Sequence, residues 1–406
     1  MSSKDGKMKR LLVPRLRFPE FREAGEWQSP FLGDISEPVE ERVGDQQLTP
    51  ISISAGIGFV PQYQKFGRDI SGNQYRLYTV VRDGDFVYNK GNSIRYPQGC
   101  VYDLQGWGKV AAPNVFICFR MKDGFENSFF RQCFEKNAHG IQLRKHITSG
   151  ARSNGLLNIS KEDFYAIRIP VPEHAEQQKI ADCLSSLDEL ISLEAQKLEA
   201  LKRHKKGLMQ QLFPREGETL PRLRFPEFRE AGEWEDVSLS NITKTITPNK
   251  KLQTSQYMLN GSYPIIDQSQ LPVAGWTDDV ESVITRPLPL IIFGDHTCVL
   301  KLATQPFAQG ADGIKIISVA SSMITEYIFQ YLLACPIVMK EYKRHFSDLI
   351  KRKVYYPKDF KEQQKIADCL SSLDELIAAE AKKLDTLKSH KKGLIQQIFP
   401  VLEDQE

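Results

Sequence analysis

The chain of 406 residues, 41% hydrophobic and 26% charged, has the balance of an ordinary globular protein of two or three domains. A formal net charge of +3 is too small to identify a partner, so any case for nucleic acid rests on local patches. Seven cysteines with no CxxC and no Cys/His cluster at ligand spacing read as buried thiols in a reducing compartment. The basic start leads into no apolar segment, and no apolar run approaches a membrane span, so the expected location is the cytoplasm.

In chain order, residues 1–27 form a first segment ending in PRLRFPEFREAGEW (Pro14–Trp27), which recurs letter for letter at Pro221–Trp234 within 215–234. Residues 28–172 and 235–359 are two regions with little resemblance to each other. Their short β-like runs broken by Gly, Pro and Asn (YRLYTVV and DGDFVYNKG; PLPLIIFGDHTCVL), followed by stretches such as ITEYIFQYLL, predict α+β modules with exposed loops. Residues 173–214 and 360–406 carry a second repeat. EQQKIADCLSSLDELI stands at Glu176–Ile191 and Glu362–Ile377, and LKRHKKGLMQQLFP at Leu201 is answered by LKSHKKGLIQQIFP at Leu387, the same 186 residues later. This period is too long for a solenoid and reads as a duplicated half-protein whose middle has been exchanged.

Each of these last segments predicts a helix with a coiled-coil seam. The apolar positions are Ile180, Leu184, Leu187, Ile191, Leu198, Leu201, Leu208 and Leu212, then Ile366, Leu370, Leu373, Ile377, Leu384, Leu387, Leu394 and Ile398. Their steps of three and four hold a 3.5-residue period, interrupted by Glu194, Lys205, Glu380 and Lys391, polar residues that penalise misregister. KRHKK near the end of the first helix suits the helix dipole and solvation rather than a phosphate. Forty residues make a rod of about 60 Å. A domain between the two helices is narrower than that, so antiparallel packing is expected, with a domain at each end and an approximate two-fold axis.

Neither middle region carries a P-loop, GxGxxG, HExxH or GxSxG signature, nor the [ND]PP[YFW] of an adenine methyltransferase. The candidate chemistry lies in loops. The first region offers Lys90, Asn92, Arg95 and Tyr96 in one loop, and Arg144, Lys145, Arg152, Ser153 and Asn154 in another. The second offers Asp267, Gln268 and Ser269, then Asp295, His296 and Thr297, and the basic run Lys343, Arg344, Lys351 and Arg352. Arg and Lys suit phosphates, while Arg, Asn and Gln also read base edges. Taken singly, each loop reads as a solvated turn; basic segments near the end of both regions shift the reading toward DNA. His296 has no partners at metal-ligand spacing, and no metal is expected.

At these residues the chain resembles the specificity subunits of Type I restriction-modification systems. The motifs are EQQKIADCLSSLDELI, the HKKGL[MI]QQ[LI]FP endings, IIFGDHTCVLKLATQPFAQGADGIK and SGARSNGLLNIS, and the resemblance covers nearly the whole chain. It implies two globular target-recognition domains separated by a long antiparallel two-helix coiled coil with pseudo-two-fold symmetry. It also implies no catalytic activity and no cofactor bound by this chain. The implied partners are double-stranded DNA, two methyltransferase subunits that use S-adenosylmethionine to methylate adenine N6, and restriction subunits that need ATP and Mg2+. Two different domains on a rigid spacer imply, from the residues alone, a bipartite asymmetric target. A 60 Å bar caps the separation below about 18 base pairs, with about 10 favoured. The helix surfaces and PRLRFPEF blocks are the expected partner contacts, or else Phe18, Phe21, Phe225 and Phe228 pack each domain to the bar. Rival readings are a coiled-coil scaffold without DNA contact and a self-contained DNA-modifying enzyme.

Overall fold

Alternating apolar residues in short strands build two stacked sheets in each half of the chain. The computed structural model describes residues 12–54, 56–91, 96–147, 157–215, 217–311, 313–337 and 343–402. These fall into two units, 1–193 with 384–406, and 194–383. Among the described residues no helix is long and apolar enough to cross a membrane.

The first unit holds β1 (Ser36–Pro38), β2 (Thr49–Ser54), β3 (Gly58–Pro61), β4 (Thr79–Arg82), β5 (Phe86–Asn89), β6 (Cys100–Asp103), β7 (Lys109–Ala112) and β8 (Ile117–Met121). One sheet has the order β1-β8-β5-β6 and the other β3-β2-β7-β4. Side chains alternate between faces along each strand. Phe86 and Tyr88 of β5, with Ile117 and Phe119 of β8, therefore meet Phe129, Phe130, Ile180, Leu184 and Ile395 from helices, and Phe399 just beyond the end of one. Val87 and Cys118, between them, face Ile51, Ile53 and Val110 of the other sheet. The unit is thus a layer of helices, a sheet and a second sheet.

The second unit holds β9 (Glu235–Ser238), β10 (Thr243–Ile246), β11 (Tyr263–Ile266), β12 (Gly275–Thr277), β13 (Val283–Ile284), β14 (Leu290–Gly294), β15 (Leu300–Ala303), β16 (Phe307–Gln309), β17 (Ile314–Val319) and β18 (Lys353–Tyr356). Its sheets run β10-β17-β14-β15 and β12-β11-β16-β13, with β9 paired to β18. Every strand of the two four-stranded sheets stands where its counterpart nine numbers lower stands in the first unit. Even the parallel pairs agree, β2 with β7 and β11 with β16. β14 (LIIFG) is buried throughout because both its faces are covered. Ile291 and Phe293 face Tyr327, Ile328 and Leu370 on helices, while Leu290 and Ile292 face Ile266, Ile284 and Phe307. The α+β class is as the sequence predicts. The resemblance between the two middle regions, faint in sequence, is close in topology.

Two helices of 39 residues, His174–Leu212 and Phe360–Ile398, run through these units. All sixteen apolar seam positions are buried or half-buried. In the second unit Glu194 pairs with Lys383, Lys197 with Glu380 and Lys205 with Asp374 (2.6 Å). Numbers rising on one helix meet numbers falling on the other, so the helices are antiparallel there. In the first unit Lys391 lies 2.7 Å from Asp188, and Ile180 and Leu184 share a core with Ile395 and Ile398. The polar interruptions of the seam are therefore partnered, each by an opposite charge that an in-register helix supplies. Lys383 holds the Glu194 carboxyl below the usual carboxylate range.

The repeated peptide clasps the start of each helix. Arg17 Nε and Nη2 donate to the two carboxylate oxygens of Glu176 at 2.8 and 2.7 Å, and Nη1 donates to the carbonyls of Ala24 and Gly25. Arg224 repeats this on Glu362 at 2.7 and 2.8 Å and on the carbonyls of Ala231 and Gly232. Phe18 lies under the Lys179 ammonium and against the first unit's core, and Phe225 lies likewise under Lys365 in the second.

A pH dependence arises in the first unit. His139 is 2% exposed, edge-on to Tyr88 and Phe134, and neither ring nitrogen has a hydrogen-bond partner among the described residues. Burial pushes its pKa down to about 4, against about 6.5 in an unfolded chain. Between those values the unfolded state binds the proton more readily. Stability is therefore full above about pH 6.5 and falls as pH drops toward 4, by about 3 kcal/mol in all. His139→Phe should lack this component. Urea unfolding of both proteins at pH 7 and pH 4.5 checks it, and an identical stability difference at the two pH values would refute it.

Candidate nucleic-acid interface

Hydrogen bonds between successive turns gather the polar loops of the second unit at one edge. Thr297 Oγ1 donates to the Gln268 carbonyl at 2.9 Å, tying the loop after β14 to the loop after β11. Asp295, 5% exposed, works through its backbone and side chain together. Its N–H donates to the Gly313 carbonyl (2.7 Å), its carbonyl accepts from the His345 N–H (2.8 Å), and its Oδ1 accepts from the Phe346 N–H (2.9 Å). Asp267 Oδ1 accepts from the Ser269 N–H at 2.9 Å, while Lys301 Nζ donates to the Asp267 carbonyl at 2.8 Å. The structure therefore brings Asp267, Gln268, Ser269, Asp295, His296 and Thr297 into one cluster, with Lys343 and Arg344 just before the His345 turn.

Within that cluster the roles divide. Asp295 and Thr297 spend their hydrogen-bonding groups on backbone, so they shape the loops. Gln268 Oε1 and Ser269 Oγ are buried with no hydrogen-bond partner among the described residues, and His296 beside them is half-buried. Lys343, Arg344 and Lys351 are exposed, Lys343 pairing with Asp348 at 3.0 Å. Arg352 is turned inward and donates to the carbonyls of Cys335 and Pro336 beyond the helix Thr325–Ala334. Burial lowers the Lys301 pKa. Lys301 is a member the sequence reading missed, since a lone Lys in an apolar strand carries no loop signal. Gly313 was missed too: its φ of +104 strains any other residue, and a Cβ there would displace the Gln268 amide, 2.7 Å away.

In the first unit the described candidates are more dispersed. Lys90 Nζ donates to the Ile159 carbonyl at 3.0 Å, and Tyr96 is half-buried. Arg144 and Lys145 are exposed on the short turn Arg144–His146, where His146 lies 2.9 Å from Asp163. Asn92, Arg95, Arg152, Ser153 and Asn154 lie outside the described residues. The arrangement provides, in each unit, exposed cations on loops at sheet and helix ends, the donor types that contact phosphates and base edges.

Comparison with known proteins bears on what these surfaces do. The family model for the Type I restriction modification DNA specificity domain matches twice, at residues 56–203 and 231–389, together well over half of the chain. The Type I restriction enzyme MjaVIII specificity subunit of Methanocaldococcus jannaschii is 25% identical over 298 residues, covering 64% of this chain and 68% of that protein. The putative type I restriction enzyme MjaX specificity subunit of the same organism is 25% identical over 264 residues, 60% of each chain. Among solved structures, the S subunit of a Type I restriction-modification system from M. genitalium aligns with a TM-score of 0.64 at 14% identity, covering 96% of this chain and all of that one. A chain from a study of complex assembly and conformational transition of the type I R-M system aligns with a TM-score of 0.51 at 18% identity, over 92% of this chain and 97% of that one. These two likenesses concern the fold.

Proposed function

We propose, from the premise that this chain belongs to the Type I restriction-modification DNA specificity family, that it is the non-catalytic subunit choosing the DNA target of such a complex. Each unit reads one half of a bipartite, asymmetric sequence through its loops. The two long helices set the gap between the halves and dock two methyltransferase subunits, to which restriction subunits are added for cleavage. S-adenosylmethionine belongs to the methyltransferase subunits, and ATP with Mg2+ to the restriction subunits. This chain binds none of them and works in the cytoplasm.

One observation carries the reading. The same sheet topology occurs twice with different sequences, while the helix blocks and clasping peptides are repeated almost letter for letter. Different loops on one framework suit different base sequences, and identical blocks suit two copies of one partner. Leu190 and Leu376, equivalent positions of the repeated helix block, are 40% and 41% exposed. They give each copy a like apolar contact.

The test is to map N6-methyladenine in DNA modified by the complex reconstituted with this chain. The expected result is methylation confined to a motif of two short, unlike halves separated by a constant gap. Methylation at one undivided motif, or by the purified chain alone, sinks the proposal.

A further inference from the structure

The two units meet the long helices through one pattern of hydrogen bonds, although the residues on the domain side are almost all different. In the first unit the N–H of Glu126, just before the helix Asn127–Glu135, donates to Gln177 Oε1 at 3.0 Å, and Gln177 Nε2 donates to the Pro172 carbonyl at 3.0 Å. Six residues after Glu126, Gln132 Nε2 donates to Asp188 Oδ2 at 2.8 Å, and Asp188 Oδ1 lies 2.7 Å from Lys391 Nζ. In the second unit the N–H of Ile324 donates to Gln363 Oε1 at 3.0 Å, and Gln363 Nε2 donates to the Pro357 carbonyl at 2.9 Å. Six residues after Ile324, Gln330 Nε2 donates to Asp374 Oδ2 at 2.8 Å, and Asp374 Oδ1 lies 2.6 Å from Lys205 Nζ.

Aligned this way, residues 126–135 and 324–333 agree at one position only, the glutamine. Gln132 and Gln330 are 0% and 1% exposed, and in both the side-chain Oε1 is buried with no hydrogen-bond partner among the described residues. An orphaned buried acceptor is costly, and a leucine would fill similar space without one. A cost incurred twice, at the same place in otherwise dissimilar helices, points to the amide N–H as the feature that is kept. The electrostatics agree. Asp188 and Asp374 are each already paired with a lysine, which in the first unit also lies 2.6 Å from Glu135, so a carboxylate at the glutamine position would repel the aspartate. A neutral donor suits both.

We infer that Gln132 and Gln330 are docking keys, and that Gln177–Asp188–Lys391 and Gln363–Asp374–Lys205 are two equal sockets. The kind of partner they fit is a recognition domain of any DNA preference that presents a backbone N–H and, six residues on, a buried amide donor. The key sets how the domain sits on its helices, independently of the loops that read bases. This inference rests on the proposed function only in taking the domains to be exchangeable, and its test needs no DNA.

Hydrogen exchange of the full chain, free of DNA, reads the docking at residues 127–135 and, separately, at 325–334. Gln132→Glu should speed exchange in the first segment about tenfold or more and leave the second unchanged. Adding Asp188→Asn returns an amide to the pair and should restore most of the protection; adding Asp374→Asn should restore none. Gln132→Leu, which loses the donor without adding charge, should speed the same segment severalfold, and it decides the matter if the Glu variant does not fold. Unchanged exchange in these variants, or equal rescue by Asp188→Asn and Asp374→Asn, overturns the key. A target map that is not bipartite overturns the proposed function while leaving this result standing.

Discussion

Replacing Arg17 with Met is expected to destabilise the first unit by about 3–5 kcal/mol, the usual consequence of removing one member of a buried ion pair. The side chains of Arg17 and Glu176 are 8% and 1% exposed, and two parallel hydrogen bonds join them. Without the guanidinium, Glu176 keeps a buried charge, and the carbonyls of Ala24 and Gly25 lose their donor. Glu176 lies in the first turn of a 39-residue helix, whose dipole relieves part of the penalty, so the lower end of the range is expected. Replacing both members by apolar residues of similar volume should recover most of the loss, because the pair offsets its own desolvation and little more. Arg224→Met should do to the second unit what Arg17→Met does to the first, since Arg224 and Glu362 are 9% and 1% exposed. Denaturant unfolding with exchange protection assigned to each unit measures both. A loss below about 1 kcal/mol would mean that water reaches Glu176.

Exchanging residues 28–172 for the corresponding domain of another family member should replace one half of the methylated motif and leave the other half and the gap unchanged. Each mismatched base pair costs about 1–3 kcal/mol. Three altered pairs are thus enough to end modification of the original target. The exchange keeps the clasp of Arg17 on Glu176 and should succeed where the incoming domain supplies the amide donor that Gln132 provides. Motif mapping before and after the exchange is the readout. A change in both halves would show that the units do not read independently.

Much of this organisation was legible in the chain. The repeated blocks marked the joints, and a 3.5-residue period over two stretches marked the helices and their seam. The loops were singled out by residue type, but which of their side chains bond to backbone was hidden. Asp295 and Thr297 look like base readers in sequence and serve the backbone in the fold, because their partners, Phe346 and Gln268, are remote in the chain. The polar seam residues showed the reverse pattern: Glu194 and Lys205 broke an apolar stripe, and only the facing helix revealed Lys383 and Asp374 opposite them.

Helical period and repetition are relations among near neighbours or between identical strings, and they are complete before the chain folds. The common topology of two dissimilar domains is of another kind. A buried face accepts many apolar combinations, so sheet order survives while its residues drift apart. Only groups with a directional partner must stay. Gln132 and Gln330 bond across 56 and 44 residues, and what they have in common emerged when the backbone brought Asp188 and Asp374 to meet them.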